Sequence, residues 1–155
     1  MAEGKLLAGN NFIAKTWDGT ILMSTIPSRS YKMALYTGAS NAADLTQTVI
    51  GNLTNEVAAQ NGYVAGGFAI TGLTVTSPAA GQFLLKATNL QIQATGGSLV
   101  FRHVVIYDNT TGIICYTSAS NLISGVATDL TITANNYFVA DLTTNGMMLY
   151  RANNA

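Results

Sequence analysis

Gly96-Gly97-Ser98-Leu99-Val100-Phe101-Arg102-His103-Val104-Val105-Ile106-Tyr107-Asp108-Asn109-Thr110-Thr111-Gly112-Ile113-Ile114-Cys115-Tyr116 is the stretch that decides the fold. It opens on a glycine pair and runs through about ten residues rich in β-branched and aromatic side chains. It turns on Asp108 to Gly112 and becomes apolar again at Ile113. Strand, turn chemistry and strand together are the signature of a β-hairpin. Val104, Val105 and Ile106 interrupt strict alternation, which suits a strand buried on both faces rather than one with a solvated side. The sequence therefore predicts an all-β core with this hairpin at its centre.

Working outward from the hairpin, the same period-two signal recurs in short runs. Towards the C-terminus, Leu122 to Val126 reads as a link, Asp129 to Thr133 and Tyr137 to Leu142 as strands, and Asn145-Gly146 as a turn into a last strand, Met147 to Tyr150. Towards the N-terminus, Leu90 to Ala94, Gln82 to Ala87 and Phe68 to Thr76 read as strands, and Asn61 to Gly67 as a turn-rich connection in which Tyr63 anchors on the core. Between Gly38 and Gln60 the pattern is weakest: Asn41 to Gln47 fits a helical turn and Thr48 to Val57 an edge segment. Tyr31 to Thr37 alternates cleanly, with Tyr31, Met33 and Leu35 on one side, and reads as a strand with one buried face. Short strands with turns near every ten residues and no long helical pattern describe a single-domain antiparallel β-sandwich, jelly roll or barrel.

Before Tyr31 the reading forks. Residues 1–11 are small and polar around one Leu-Leu pair, as in a flexible or partner-ordered tail. Phe12 to Trp17 and Thr20 to Ile26 are strand-like runs flanking Asp18-Gly19, a favoured two-residue hairpin loop. Residues 1–30 are therefore expected to form a tail and a hairpin that is either the first part of the core or an arm lying on another subunit, with the β-sandwich domain at 31–155. As an arm, residues 1–26 could be removed without unfolding the rest. Phe12, Ile13, Trp17, Ile21 and Met23 would then be the partner contacts; burial in the chain's own core is the alternative for the same side chains.

The composition narrows what such a domain can do. Only 9% of the 155 residues are charged, seven basic and seven acidic, giving a net charge of zero; about a quarter is usual. A monomer of this size exposes roughly 7,500 Å², so there is only about one charge per 500 Å². Such an exterior is poorly protected against association. With no basic excess, the chain has no electrostatic footprint for nucleic acid or an anionic membrane. One Cys and one His leave no conventional zinc set, and Cys115, inside a strand, reads as a buried inert thiol. No run reaches the apolar length of a signal peptide core or a membrane span, which points to a protein made in the cytoplasm and soluble until it meets its partner.

No catalytic pattern rises above this background. His103 could pair with Asp108 or act as a base, but it stands alone among aliphatic neighbours with no serine elbow beside it. Asp108, Asp129 and Asp141 lie where turns and strand ends ordinarily place Asp, outside any alternating calcium loop. Gly62, Gly66-Gly67 and Gly72 lack the Lys-Ser/Thr and helix of a phosphate loop. Asn52-Leu53-Thr54 and Asn109-Thr110-Thr111 match the glycosylation triplet by chance, there being no secretion signal. No enzyme activity and no cofactor are expected.

Three motifs taken in order carry a resemblance. They are Lys32-Met33-Ala34-Leu35-Tyr36-Thr37, then Asn55-Glu56-Val57 with Asn61-Gly62-Tyr63-Val64-Ala65-Gly66-Gly67, then Gly96-Gly97 with Phe101-Arg102-His103-Val104-Val105-Ile106-Tyr107-Asp108. Over roughly residues 31 to 150 the chain resembles a family of small all-β structural proteins of tailed bacteriophages. It departs from that pattern at His103, where an aromatic is common, and at Ile113 to Ser118, which lacks an acidic-aromatic-glycine ending. The resemblance implies a virion component, most often a capsid decoration or cement protein on the outer capsid surface. Such a protein binds the major capsid protein and copies of itself, commonly as a homotrimer. A tail or fibre component with an adhesin-like role is the other place such a protein could occupy.

Overall fold

The computed structural model describes residues 6–21, 28–77, 82–119, 122–123, 126–144 and 148–151. These form an all-β protein of several antiparallel sheets, with one short α-helix among the described residues. At its centre β2 (Tyr31–Tyr36) pairs with β8 (His103–Asp108) from Tyr31↔Asp108 to Tyr36↔His103, and β8 pairs with β9 (Ile114–Ala119). β1 (Leu6–Ala8) beyond β9 and β3 (Phe68–Ile70) beyond β2 complete a five-stranded sheet in the order β1-β9-β8-β2-β3.

All six residues of β8 are buried. Successive side chains leave a strand on opposite faces, so Val104 and Ile106 join Met33, Leu35, Ile92 and Phe101 in the larger apolar cluster. Val105 and Tyr107 join Ala34, Tyr36, Ala42 and Ile114 in a smaller one. The hydrophobic run that broke alternation is thus a strand covered on both sides. The second cover is the segment expected to be weakly structured. Residues 38–57 fold across the sheet, with Ile50 N–H bonded to Gly112 O at 2.8 Å, Val57 N–H to Leu35 O at 2.9 Å, and the Thr117 hydroxyl to Ala42 O at 2.6 Å. The single buried face expected for residues 31–37 is therefore corrected to two: Ala34 and Tyr36 are buried as well.

The central stretch is not one strand. It divides at Arg102 into β7 (Leu99–Phe101), which pairs with β12 (Leu130–Ile132), and β8. Arg102 N–H bonds to Tyr36 O at 2.8 Å while its guanidinium lies over Gly38 and bonds Asp129 Oδ1 at 2.8 Å. The run 68–76 divides likewise at Gly72, where φ is +67° and a Cβ would stand 2.2 Å from Thr88 Oγ1. β3 stays with β2 while β4 (Thr74–Thr76) pairs with β5 (Gln82–Lys86). The hairpin turn keeps the expected chemistry. Asp108 Oδ1 accepts from Thr110 N–H at 2.8 Å and Thr111 N–H at 3.2 Å, and Gly112 N–H returns to Asp108 O at 2.7 Å.

Most of the remaining strands form a long antiparallel ribbon, two-stranded except where β4 lies beside β5. β5 pairs with β14 (Met148–Arg151), β6 (Leu90–Gln93) with β13 (Tyr137–Ala140), and β7 with β12, so 82–101 runs antiparallel to 130–151. Its register shifts by one residue between Leu90↔Ala140 and Leu99↔Ile132, as at a bulge. Of Leu122 to Val126, expected as a link, the described residues lie in β10 (Leu122–Ile123) and β11 (Val126–Ala127), which pair antiparallel.

The N-terminal segment differs most from expectation. Leu6 to Ala8, expected as tail, pair with Ser118 to Tyr116. Phe12 to Trp17, expected as a strand, lie with Asn10 and Asn11 in helix α1 (Asn10–Trp17). Asp18-Gly19 ends this helix instead of turning a hairpin: Asp18 N–H bonds to Ala14 O at 2.9 Å, and Gly19 takes φ +79° at the position where helices commonly stop on glycine. Phe12, 2% exposed, packs on Tyr116 with ring centroids 5.6 Å apart, and Ile21 is 1% exposed. Met23, most of the expected strand Thr20 to Ile26, the Asn145-Gly146 turn and Met147 lie outside the described residues.

Removing residues 1–21 strips β1 and two core side chains from the sheet, so the truncated chain is expected to lose its cooperative thermal transition, contrary to the detachable-arm reading. Phe12→Ala alone should lower stability by about 3–5 kcal/mol in urea titrations.

Candidate functional site

The residues that carry the resemblance come together, and what they build is a polar clamp. Glu56 is bridged to Tyr36 at the end of β2. Its Oε1 accepts from the Tyr63 hydroxyl at 2.7 Å and from Gly66 N–H at 2.6 Å. Tyr63 Oη in turn accepts from Leu35 N–H at 3.0 Å, and the Tyr107 hydroxyl donates to Gly66 O at 2.7 Å. Gly67, with φ +76°, brings the loop so close to β2 that a Cβ would lie 2.0 Å from Met33 O. Burial, reinforced by the Glu56 carboxylate, holds the Tyr63 hydroxyl well above the usual phenol range, and burial followed by Glu56 raises Tyr36 and Tyr107 as well. These phenols are protonated donors at neutral pH. The Tyr63 hydroxyl joins the Glu56 carboxylate to the Leu35 amide, and that of Tyr107 holds the Gly66 carbonyl.

A second polar group closes the other end of β2. The Asp108 carboxylate, fully buried, takes Arg29 Nη1 on Oδ2 at 2.5 Å and the turn amides on Oδ1. Beside it burial pushes the Cys115 thiol up, with the Asp108 charge adding to the effect, so the sulfur stays protonated. Tyr31 and Tyr116 are likewise raised, chiefly by burial, and their buried hydroxyls have no hydrogen-bond partner among the described residues.

The other candidates are dispersed. His103 is buried at the opposite end of β8 from Asp108, five residues or roughly 17 Å away along the strand. The two therefore cannot act as a pair. Asp129 meets Arg102, and Asp141 Oδ1 caps the turn at Thr143 and Thr144. Among the described residues no group of three or more His, Cys, Asp and Glu could hold a metal ion, and no helix is long and apolar enough to cross a membrane. Gly72, Thr74, Lys86, Thr88 and Thr143 line a shallow, open depression on the ribbon.

Of the expected partner contacts, Phe12 and Ile21 point into the core, whereas Ile13 (43% exposed) and Trp17 (79%) stand on the outer side of α1, four residues apart. Sequence reasoning missed a second set of exposed apolar groups, among them Val100, Tyr137 and Val139. Alternation along Tyr137-Phe138-Val139-Ala140 identified the strand but not which of its two faces lay outward.

Comparison with protein-family models, curated proteins and solved structures finds no match to this chain.

Tyr63→Phe leaves the buried Leu35 amide unpaired and takes a donor from Glu56, so it should cost about 1–3 kcal/mol. Tyr31→Phe removes a hydroxyl with no partner and should be neutral or stabilising. Chemical denaturation of the two variants side by side checks the contrast.

Proposed function

We propose that the protein is a non-enzymatic structural component of a bacteriophage particle, a decoration or cement subunit on the outer capsid surface that binds the major capsid protein and its own copies. The observation that carries this is the exterior. The chain presents 8246 Å² to solvent with seven basic and seven acidic residues, and one of these, Asp108, is buried. A surface so thin in charge suits a molecule that is largely covered by neighbours. Two further features support the reading. The motif residues direct their polar groups inward, as residues that maintain a scaffold do, and Trp17 with Ile13 offers an aromatic-aliphatic anchor of the kind that dominates interface energetics. The architecture is read as a two-layer sandwich of jelly-roll type, with the five-stranded sheet facing the ribbon across the larger apolar cluster.

The mechanism is physical. Contacts spanning neighbouring shell subunits add binding free energy that must be lost before the shell opens, so the decorated particle withstands conditions that disrupt the bare one. The first test is a quantitative gel of purified particles: copies comparable to the major capsid protein are expected. A handful per particle would move the protein to a tail or fibre, and absence would refute the proposal. On particles stripped of the subunit, the Ile13→Ser/Trp17→Ser double variant should rebind at least about tenfold more weakly than the natural chain.

A further inference from the structure

Strand β13 is an open edge. Among the described residues its one strand neighbour is β6, and it lies at the rim of the ribbon: Ile92 of β6 is fully buried, while Phe138 directly across from it is only half-buried. Natural edges are normally blunted by charge, proline or a bulge within the strand. Tyr137-Phe138-Val139-Ala140 contains neither charge nor proline, and its register with β6 is unbroken. The direction of its backbone groups follows from the ladder. Ala94 N–H bonds to Asn136 O at 2.9 Å, and bonded and non-bonded pairs alternate along an antiparallel pair. Phe138 and Ala140 therefore bond to β6, and the N–H and C=O groups of Tyr137 and Val139 point away from it, at the two residues whose side chains are 58% and 45% exposed.

We infer that β13 is a seam for a second copy of this chain, paired antiparallel edge to edge so that two ribbons join into one continuous sheet. The edge is self-complementary. Pairing centred on Phe138 places Tyr137 of each protomer against Val139 of its partner, and each such pair exchanges both of its outward-pointing bonds. On the outer face this sets an aromatic against a β-branched side chain twice, a favourable cross-strand pair. On the inner face it brings the two Phe138 rings together, extending the edge-on contact that Phe138 already makes with Phe101 at 5.4 Å. Charge does not oppose it: Asp141 falls across from Asn135 of the partner, so no carboxylates meet, and the chain carries no net charge. This pairing closes on two copies, in contrast to the threefold arrangement that the resemblance implies. It concerns the free protein and stands or falls separately from the particle assignment.

The test is the mass of the full chain by sedimentation equilibrium from about 1 to 100 µM. The natural chain is expected to approach about 32 kDa, twice 16.2 kDa. Tyr137→Lys/Val139→Lys sets ammonium groups opposite one another in both pairs, and Tyr137→Glu/Val139→Glu does the same with carboxylates. Each variant alone should be monomeric, with dimerisation weakened at least about tenfold, and an equimolar mixture of the two should recover the dimer. Val139→Pro removes an outward N–H without touching the bonds to β6 and should also be monomeric. The inference is overturned by a monomeric or three-chain natural protein, by lysine variants that still dimerise, by a mixture that stays monomeric, or by loss of folding in the lysine variant, which would mean that these positions are not exposed.

Discussion

Everything in this structure depends on β8 being covered twice. A strand reading His103-Val104-Val105-Ile106-Tyr107-Asp108 has apolar groups on both faces, and a single sheet packed on one core would leave Val105 and Tyr107 in water. The segment 38–57 prevents this by folding across the outer face, and the Glu56 clamp fastens that segment to β2 and to the Tyr63–Gly67 loop. The core and its polar fastening are therefore one arrangement. The fastening stands at a strand end, where backbone groups would otherwise lack partners.

The same inward arrangement holds for the polar residues at both ends of β2. Glu56, Tyr63, Tyr107, Asp108 and Arg29 are all committed to internal bonds, and the Cys115 thiol is held protonated by burial. Outward lie a few scattered charges, such as Asp18, Asp44 and Asp129, and large apolar groups: Ile13 and Trp17 on α1, Tyr137 and Val139 on β13. The proposal that the molecule belongs to an assembly rests on these exposed apolar groups and the low charge.

The sequence made the all-β class and the hairpin turn legible because both are local: alternation, and an Asp-Asn-Thr-Thr-Gly turn whose side chain caps its own backbone. It misled at Asp18-Gly19, since a glycine in left-handed conformation serves a helix end as readily as a hairpin, and Phe12 and Trp17 suit a helix or a strand equally well. The break at Arg102 carries no glycine or proline to mark it; it follows from Tyr36 O accepting the Arg102 amide and from Asp129 holding the guanidinium, both distant in sequence. The clamp was visible only as a motif, because its bonds join loop to strand across separations that no periodicity encodes. The second buried face of β2 was equally hidden, as a poorly patterned loop supplies its cover.

The central claim is that polar chemistry is turned inward and the outside exists to be covered. Hydrogen exchange on the chain free in solution and on the same chain within purified particles tests it most directly. The account predicts new protection at Asn10–Trp17, with the amides of the buried strand Val104–Tyr107 unchanged. Identical exchange in both preparations, or a chain absent from particles, would contradict it.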